Sequence, residues 1–235
     1  MKIELDFLAV LAQWPLLVKG VAWTLGLTAV SAILGGIVGV ACAWARAYGT
    51  EPKAAWGAKL LAWIAATYVE LVRNTPFIVQ LFFVFFGLPA AGVKLTPEIA
   101  SIIAMVVNLG AYATEIVRAG LDATPRGQYD AAKALGLNRL QMFRLVVLPP
   151  ALAKVWPAMV SQIIIVMLGS AVCGQISTEE LSFAANLIQS RNFRAFESFI
   201  IAGALYLLLA VAVRRVLTWV GPRFLFGASA KAGAR

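Results

Sequence analysis

Gly20-Val-Ala-Trp-Thr-Leu-Gly-Leu-Thr-Ala-Val-Ser-Ala-Ile-Leu-Gly-Gly-Ile-Val-Gly-Val-Ala-Cys-Ala-Trp-Ala45 runs between Lys19 and Arg46 without a charge. A bilayer core needs about 20 apolar residues per helix, because every backbone polar group there must be bonded within the chain. This stretch meets that requirement. Outward from it lie four more apolar runs: 74–93, which carries Pro76 and Pro89 and follows the mixed segment 59–73, then 99–114, 155–178 and 198–213. With 61% hydrophobic and 13% charged residues, the chain is too apolar for a soluble domain. The expectation is an all-α integral membrane protein, one domain over 1–235, of about five transmembrane helices. Gly35, Gly39 and Ala43 form a small-residue stripe that permits close helix approach on the first of them.

The chain begins Met1-Lys2-Ile3-Glu4-Leu5-Asp6, with mixed charges, and its first apolar run is long enough to span, so no cleaved leader is expected. Cys42 and Cys173 fall inside spans, where a thiol acts as a small buried apolar group. Histidine is absent, which removes the commonest general base and transition-metal ligand. No catalytic residue and no metal site is expected. With the amino terminus outside and the carboxyl terminus inside, fourteen basic residues fall on the cytoplasmic side and five outside, with Arg73 in a span. Lys2, Lys53, Lys231 and Arg235 are among those counted. Lysine and arginine bias sets this orientation and explains the net charge of +9 without a nucleic acid partner. The outer connection 179–197 mixes Glu179, Glu180, Arg191, Arg194 and Glu197, charges a second partner could read.

Between the third and fourth spans, residues 122–150 are too structured for a passive linker. Thr124-Pro125 predicts a helix start with Thr as cap and Pro at the first helical position. Gly136 suits the left-handed residue that ends a helix, and Asn138 caps a second short helix that Pro149-Pro150 stops. In that second helix Leu140, Phe143 and Val147 share an apolar face, while Arg139 and Arg144 lie elsewhere. In the first, Ala131, Ala132 and Ala134 let a partner's surface approach closely. The residues alone leave an ordinary intramolecular helical hairpin equally open.

Tyr129-Asp-Ala-Ala-Lys-Ala-Leu-Gly136, followed thirteen residues on by Pro149, resembles the EAA loop of ABC importer transmembrane subunits, with Asp130 in place of the usual Glu. Glu70-Leu-Val-Arg-Asn-Thr-Pro76, Asn108-Leu-Gly-Ala-Tyr-Ala-Thr-Glu115 with Arg118, and Arg191-Asn-Phe-Arg-Ala-Phe-Glu197 are similar to segments of polar amino acid permeases of the histidine/glutamine type. That resemblance implies the type I ABC importer permease fold in a bacterial cytoplasmic membrane. It also implies a second permease subunit, identical or paralogous, two cytoplasmic ATPase subunits and an extracytoplasmic substrate-binding protein. The loop then couples to the ATPase through Tyr129, Asp130, Ala131, Ala132, Leu135, Gly136, Arg139 and Pro149. No Gly-x-x-x-x-Gly-Lys-Ser/Thr loop is present, so ATP and Mg belong to the partner and this chain holds no cofactor.

Asn74-Thr75-Pro76 should interrupt the second helix, since Pro lacks an N–H and disfavours helical conformation before it. A plain kink and a cargo contact remain open from the residues; the resemblance gives Thr75 a gating or site-lining role. Asn108, Gln162 and Ser170, with Ser161 and Gln175, are the other path candidates, interhelical hydrogen bonding being their alternative use. Relatives often carry Lys-Asp-Thr/Ser where this chain has Leu168-Gly169-Ser170, so their cargo preference does not transfer. Glu70 with Arg73 and Glu115 with Arg118 are expected to pair along one helix face. A self-sufficient ion-coupled carrier, with Glu70 and Glu115 protonatable, is the alternative class.

Overall fold

In the computed structural model, which describes residues 5–51 and 54–225, the described residues are helical apart from short connections. Lys2, Lys53, Lys231 and Arg235 lie outside them. The helices are α1 (Phe7–Leu11), α2 (Trp14–Gly49), α3 (Trp56–Arg73), α4 (Phe77–Ala90), α5 (Pro97–Asp122), α6 (Arg126–Ala134), α7 (Arg139–Ile176), α8 (Leu181–Asn192) and α9 (Ala195–Val220). Four are long and apolar enough to cross a membrane, and the bent pair α3–α4 makes a fifth. The all-α expectation and the span number are met.

The span boundaries differ from the charge-free runs. Helix α2, about 54 Å long at 1.5 Å per residue, continues through Lys19 and Arg46 because both charges find carboxylates on other elements, Glu179 and Glu115. Helix α5 starts on a Thr96 cap, whose Oγ1 accepts from Ile99 N–H, and runs on past Thr114 to Asp122 for the same reason. Residues 59–73, read as a mixed lead-in, belong to α3 itself, which packs on α2 and α5. Its charges sit near its ends, so a window that stops at each charge misses the helix. The chain then bends by 112° before α4.

Helix α2 lies along α5 because its buried contact stripe is small, with Gly35 set against Leu109 and Gly39 against Ala113, while Gly20 and Thr24 nearer its start meet Leu181 of α8. A Cβ on Gly39 would stand 2.4 Å from Ala113 Cβ, and one on Gly35 3.0 Å from Leu109 Cβ. Gly39→Leu should therefore force α2 from α5 and destabilise the chain by about 3 kcal/mol. Gly26→Leu, with nothing within 4 Å, should be nearly neutral. Thermal unfolding of both variants in detergent checks the contrast.

Pro149-Pro150 do not stop a helix, contrary to the sequence expectation. The backbone widens to π-helix over Met142–Val147 and continues as α-helix over Leu148–Gly169 and 3-10 helix over Ser170–Ile176. A proline ring clashes with the carbonyl four residues back. The wider π turn displaces that carbonyl, so the prolines ride through on a bulge.

The connection 179–197 is also more inward than its charges suggested. Glu180 is fully buried as the cap of α8, accepting from Ser182 N–H (2.9 Å), Phe183 N–H (2.7 Å) and the Tyr206 hydroxyl. Glu197 is buried as well, accepting from Asp6 N–H (3.0 Å) and Arg194 (3.3 Å). Those two carboxylates are unavailable to an outside partner.

Candidate functional site

The break after α3 leaves end carbonyls that a membrane cannot hydrate. Asn74 Nδ2 donates to Glu70 O (2.8 Å) and Thr75 Oγ1 to Leu71 O (2.9 Å). Gln80 Nε2 donates to Val72 O (2.7 Å), Thr75 O (2.9 Å) and Thr75 Oγ1 (3.0 Å), while its Oε1 accepts from Asn108 Nδ2 (3.0 Å). One amide thus closes the broken helix end and ties it to α5. Gln80→Leu should cost about 2 kcal/mol by orphaning these groups. Gln80→Glu, which keeps the acceptor for Asn108 and loses the donor, should fall between; melting of the purified variants reads the order.

Beside this break opens a cavity of about 410 Å³ lined by Thr75, Pro76, Phe77, Asn108, Tyr112, Gln162, Ile165, Val166 and Gly169. Three of the path candidates, Thr75, Asn108 and Gln162, are thus brought together from α5, α7 and the α3–α4 break. Every lining side chain is uncharged, and the hydroxyls and amides among them offer both donors and acceptors. Ser170 stands apart, fully buried and donating to Met167 O (2.6 Å). Ser161 is exposed and donates to Pro157 O (3.1 Å), and Gln175 is exposed beyond the cavity. Tyr112 was missed in the sequence because an aromatic among apolar residues carries no polar signal.

The expected pairing of Glu70 with Arg73 is not formed. Glu70 Oε1 accepts from Asn74 Nδ2 (2.8 Å), and Arg73 turns instead to Glu115 (4.0 Å), its guanidinium 5.5 Å from the Tyr112 ring centroid. The second pair does form: Arg118 donates twice to Glu115 Oε2, at 2.8 and 3.1 Å, and once to Asp122 at 2.7 Å. Glu115 also receives Arg46 of α2, so one carboxylate collects arginines from three helices. Their separation in sequence hid this node.

In the loop, Pro125 rather than Thr124 is the N-cap of α6; Thr124 Oγ1 donates back to Gly120 O (3.2 Å) and closes α5 instead. Helix α6 ends at Gly136, whose φ is +70°, with Gly136 N–H bonded to Lys133 O (2.9 Å) and Leu137 N–H to Ala132 O (3.2 Å). These two bonds form the Schellman end that only a left-handed residue allows. Asn138 and Gln141 then make a reciprocal capping box. Ala132, 1% exposed, seats α6 on the protein, with Tyr129 half-buried beside it. Burial, and then the Asp122 carboxylate, raises the Tyr129 pKa above its ordinary value, so the phenol stays neutral. Asp130, Ala131, Lys133, Ala134 and Gly136 are exposed, as is Leu135 at 76%.

Arg139 holds the loop to the end of α2, paired with Glu51 (3.0 Å) and stacked 4.7 Å from the Tyr48 centroid. The apolar face of the second segment turns inward: Val147 is buried, and Phe143 meets Trp44 with centroids 6.2 Å apart. Leu140 remains half exposed, and Pro149 is half-buried within α7. Most of α6, apart from Ala132, Gln128 and Tyr129, is exposed, as are residues 138–141 that follow it.

The family model described as binding-protein-dependent transport system inner membrane component matches residues 53–226. The chain is 33% identical over 219 residues to the arginine transport system permease protein ArtQ of Bacillus subtilis, covering 93% of this chain and 94% of that one. It is 30% identical to the glutamine transport system permease protein GlnP of Escherichia coli K12, covering 91% and 95%. A solved structure described as an amino acid ABC transporter with histidines superposes with a TM-score of 0.79 at 30% identity, covering 92% and 98%.

Proposed function

The chain belongs to the family of binding-protein-dependent transport system inner membrane components, and on that premise we propose that it is the membrane subunit of an ATP-driven importer that carries a polar amino acid into the cytoplasm. The observation that supports this most is α6: a short helix seated through Ala132, ended at Gly136, and presenting Asp130, Ala131, Lys133 and Leu135 outward. Such a surface suits a separate ATPase, which would supply ATP and Mg. Two permease subunits, two ATPases and a binding protein complete the assembly. The amino terminus faces outward and α6 lies in the bacterial cytoplasm, as the basic bias requires.

In this reading ATP draws the ATPases together, α6 follows, and the continuous helical path from Asn138 through α7 carries the motion to Gln162. The cavity at Thr75, Asn108 and Gln162 is the passage, alternately open to each side. The Pro76 break gives it a non-helical wall, tolerable where backbone lines a cavity. With no charge on its lining, this half of the path suits an uncharged cargo side chain better than a cationic one.

The ion-coupled carrier is disfavoured because Glu115, one of its two protonatable sites, is engaged by arginines from three helices. Liposome uptake separates the two readings. ATP-dependent amino acid accumulation only with the ATPase and binding protein present is expected; uptake by the chain alone under a proton gradient would sink the importer assignment.

A further inference from the structure

A second cavity, about 710 Å³, opens between α2, α7 and α9, away from the passage. Its walls are hydrocarbon, among them Gly36 and Ile37 of α2 and Leu152 of α7, and Arg144 is the one charged residue lining it. Trp156 on its wall donates its indole N–H to Leu217 O (2.9 Å), so that donor is already used within the protein. An occupant must therefore be apolar along its length and anionic, if anything, at the Arg144 end.

Charge chooses among occupants: an acyl chain with an anionic headgroup matches both the apolar wall and the lone cation at its end. Arg144 is exposed and, among the described residues, makes no ion pair or hydrogen bond. Arg223 follows the groove-lining Val220 by three residues and stacks 5.2 Å from the Trp219 centroid. The groove is built from the second half of α2 and the first half of α7, so it opens at the end of the bundle that carries α6. In the orientation proposed above, that is the anionic leaflet.

We propose that this groove is a binding site for an anionic phospholipid, its acyl chain along Gly36, Ile37 and Leu152 and its phosphate on Arg144. The site begins at the segment that follows the Asn138 cap, so a lipid held there touches the base of the proposed coupling loop.

The test is native mass spectrometry of the full-length chain, purified in mild detergent and titrated with phosphatidylglycerol or phosphatidylcholine of identical acyl chains. Retention in detergent does not depend on orientation or cargo, so it can fail while the importer reading stands, and the reverse. One tightly held phosphatidylglycerol is expected, preferred roughly fivefold over phosphatidylcholine, as one surface cation provides. Arg144→Gln should erase the preference and leave residual binding of both lipids. Gly36→Phe, at a position where an added Cβ meets nothing within 4 Å, should fill the groove and remove both. Equal retention of the two lipids by the unmodified chain, or a preference that survives Arg144→Gln, overturns the proposal. So does a Gly36→Phe variant that folds, keeps its lipid and changes only oligomeric state, which would give the groove to a second copy. Should Gly36→Phe not fold, the exposed Arg144→Gln decides alone.

Discussion

Glu115→Ala is expected to destabilise the chain by about 3 kcal/mol, a large effect for one exposed-to-buried boundary residue. The carboxylate is 18% exposed and collects Arg46 from α2, Arg73 from α3 and Arg118 from its own helix. Removing it leaves three guanidiniums converging on a space with no anion; Arg118 alone keeps a partner, Asp122. Repulsion then acts between α2, α3 and α5, and the last two frame the Thr75 break. Glu115→Gln retains acceptor capacity and loses the charge, so its cost should be intermediate. Glu70→Ala should cost under about 1 kcal/mol, because Glu70 is exposed and holds only Asn74. Unfolding midpoints of the three variants in one detergent check the order. A Glu115→Ala chain as stable as the parent would show the node to be incidental.

Gly136→Val should abolish coupling with little effect on the transmembrane bundle. Its φ of +70° is a region a β-branched residue enters only under strain, at a cost of about 1–3 kcal/mol. Space is not the obstacle, since a Cβ there meets nothing within 4 Å. The strain is relieved by unwinding the last turn of α6, which breaks the Gly136–Lys133 and Leu137–Ala132 bonds and releases Leu135 and Asp130 from their positions. ATP-driven uptake in the reconstituted complex should fall by at least about tenfold, one decade for each 1.4 kcal/mol of docking lost. The melting of the membrane bundle should stay put. Gly136→Asn, which tolerates the left-handed region, should retain most of the uptake.

The membrane class was legible because apolar runs report burial in lipid directly. Their ends were not, since Lys19 and Arg46 are neutralised by Glu179 and Glu115, partners 160 and 69 residues away in the chain. Local punctuation was read well where the signal is a backbone requirement, as at Gly136 and Asn138. It failed at Pro149-Pro150, where a π bulge absorbs what an α-helix cannot. At the candidate site, Thr75, Asn108 and Gln162 announced themselves as polar residues in apolar surroundings. Gln80 carried the same signal and was passed over, although it lies four residues after Pro76, within reach of the carbonyls that the break frees. Tyr112 and Arg46 needed three-dimensional contacts to be seen.

The central claim is that this chain passes an amino acid through the membrane under the control of a separate ATPase docked at α6. It is tested most directly by reconstituting the chain with its ATPase and binding protein and screening amino acids for stimulation of ATP hydrolysis. Stimulation by a polar, uncharged amino acid, lost in Gly136→Val and kept in Gly136→Asn, is the result expected. Hydrolysis that responds to no amino acid, or that responds equally in Gly136→Val, would contradict it.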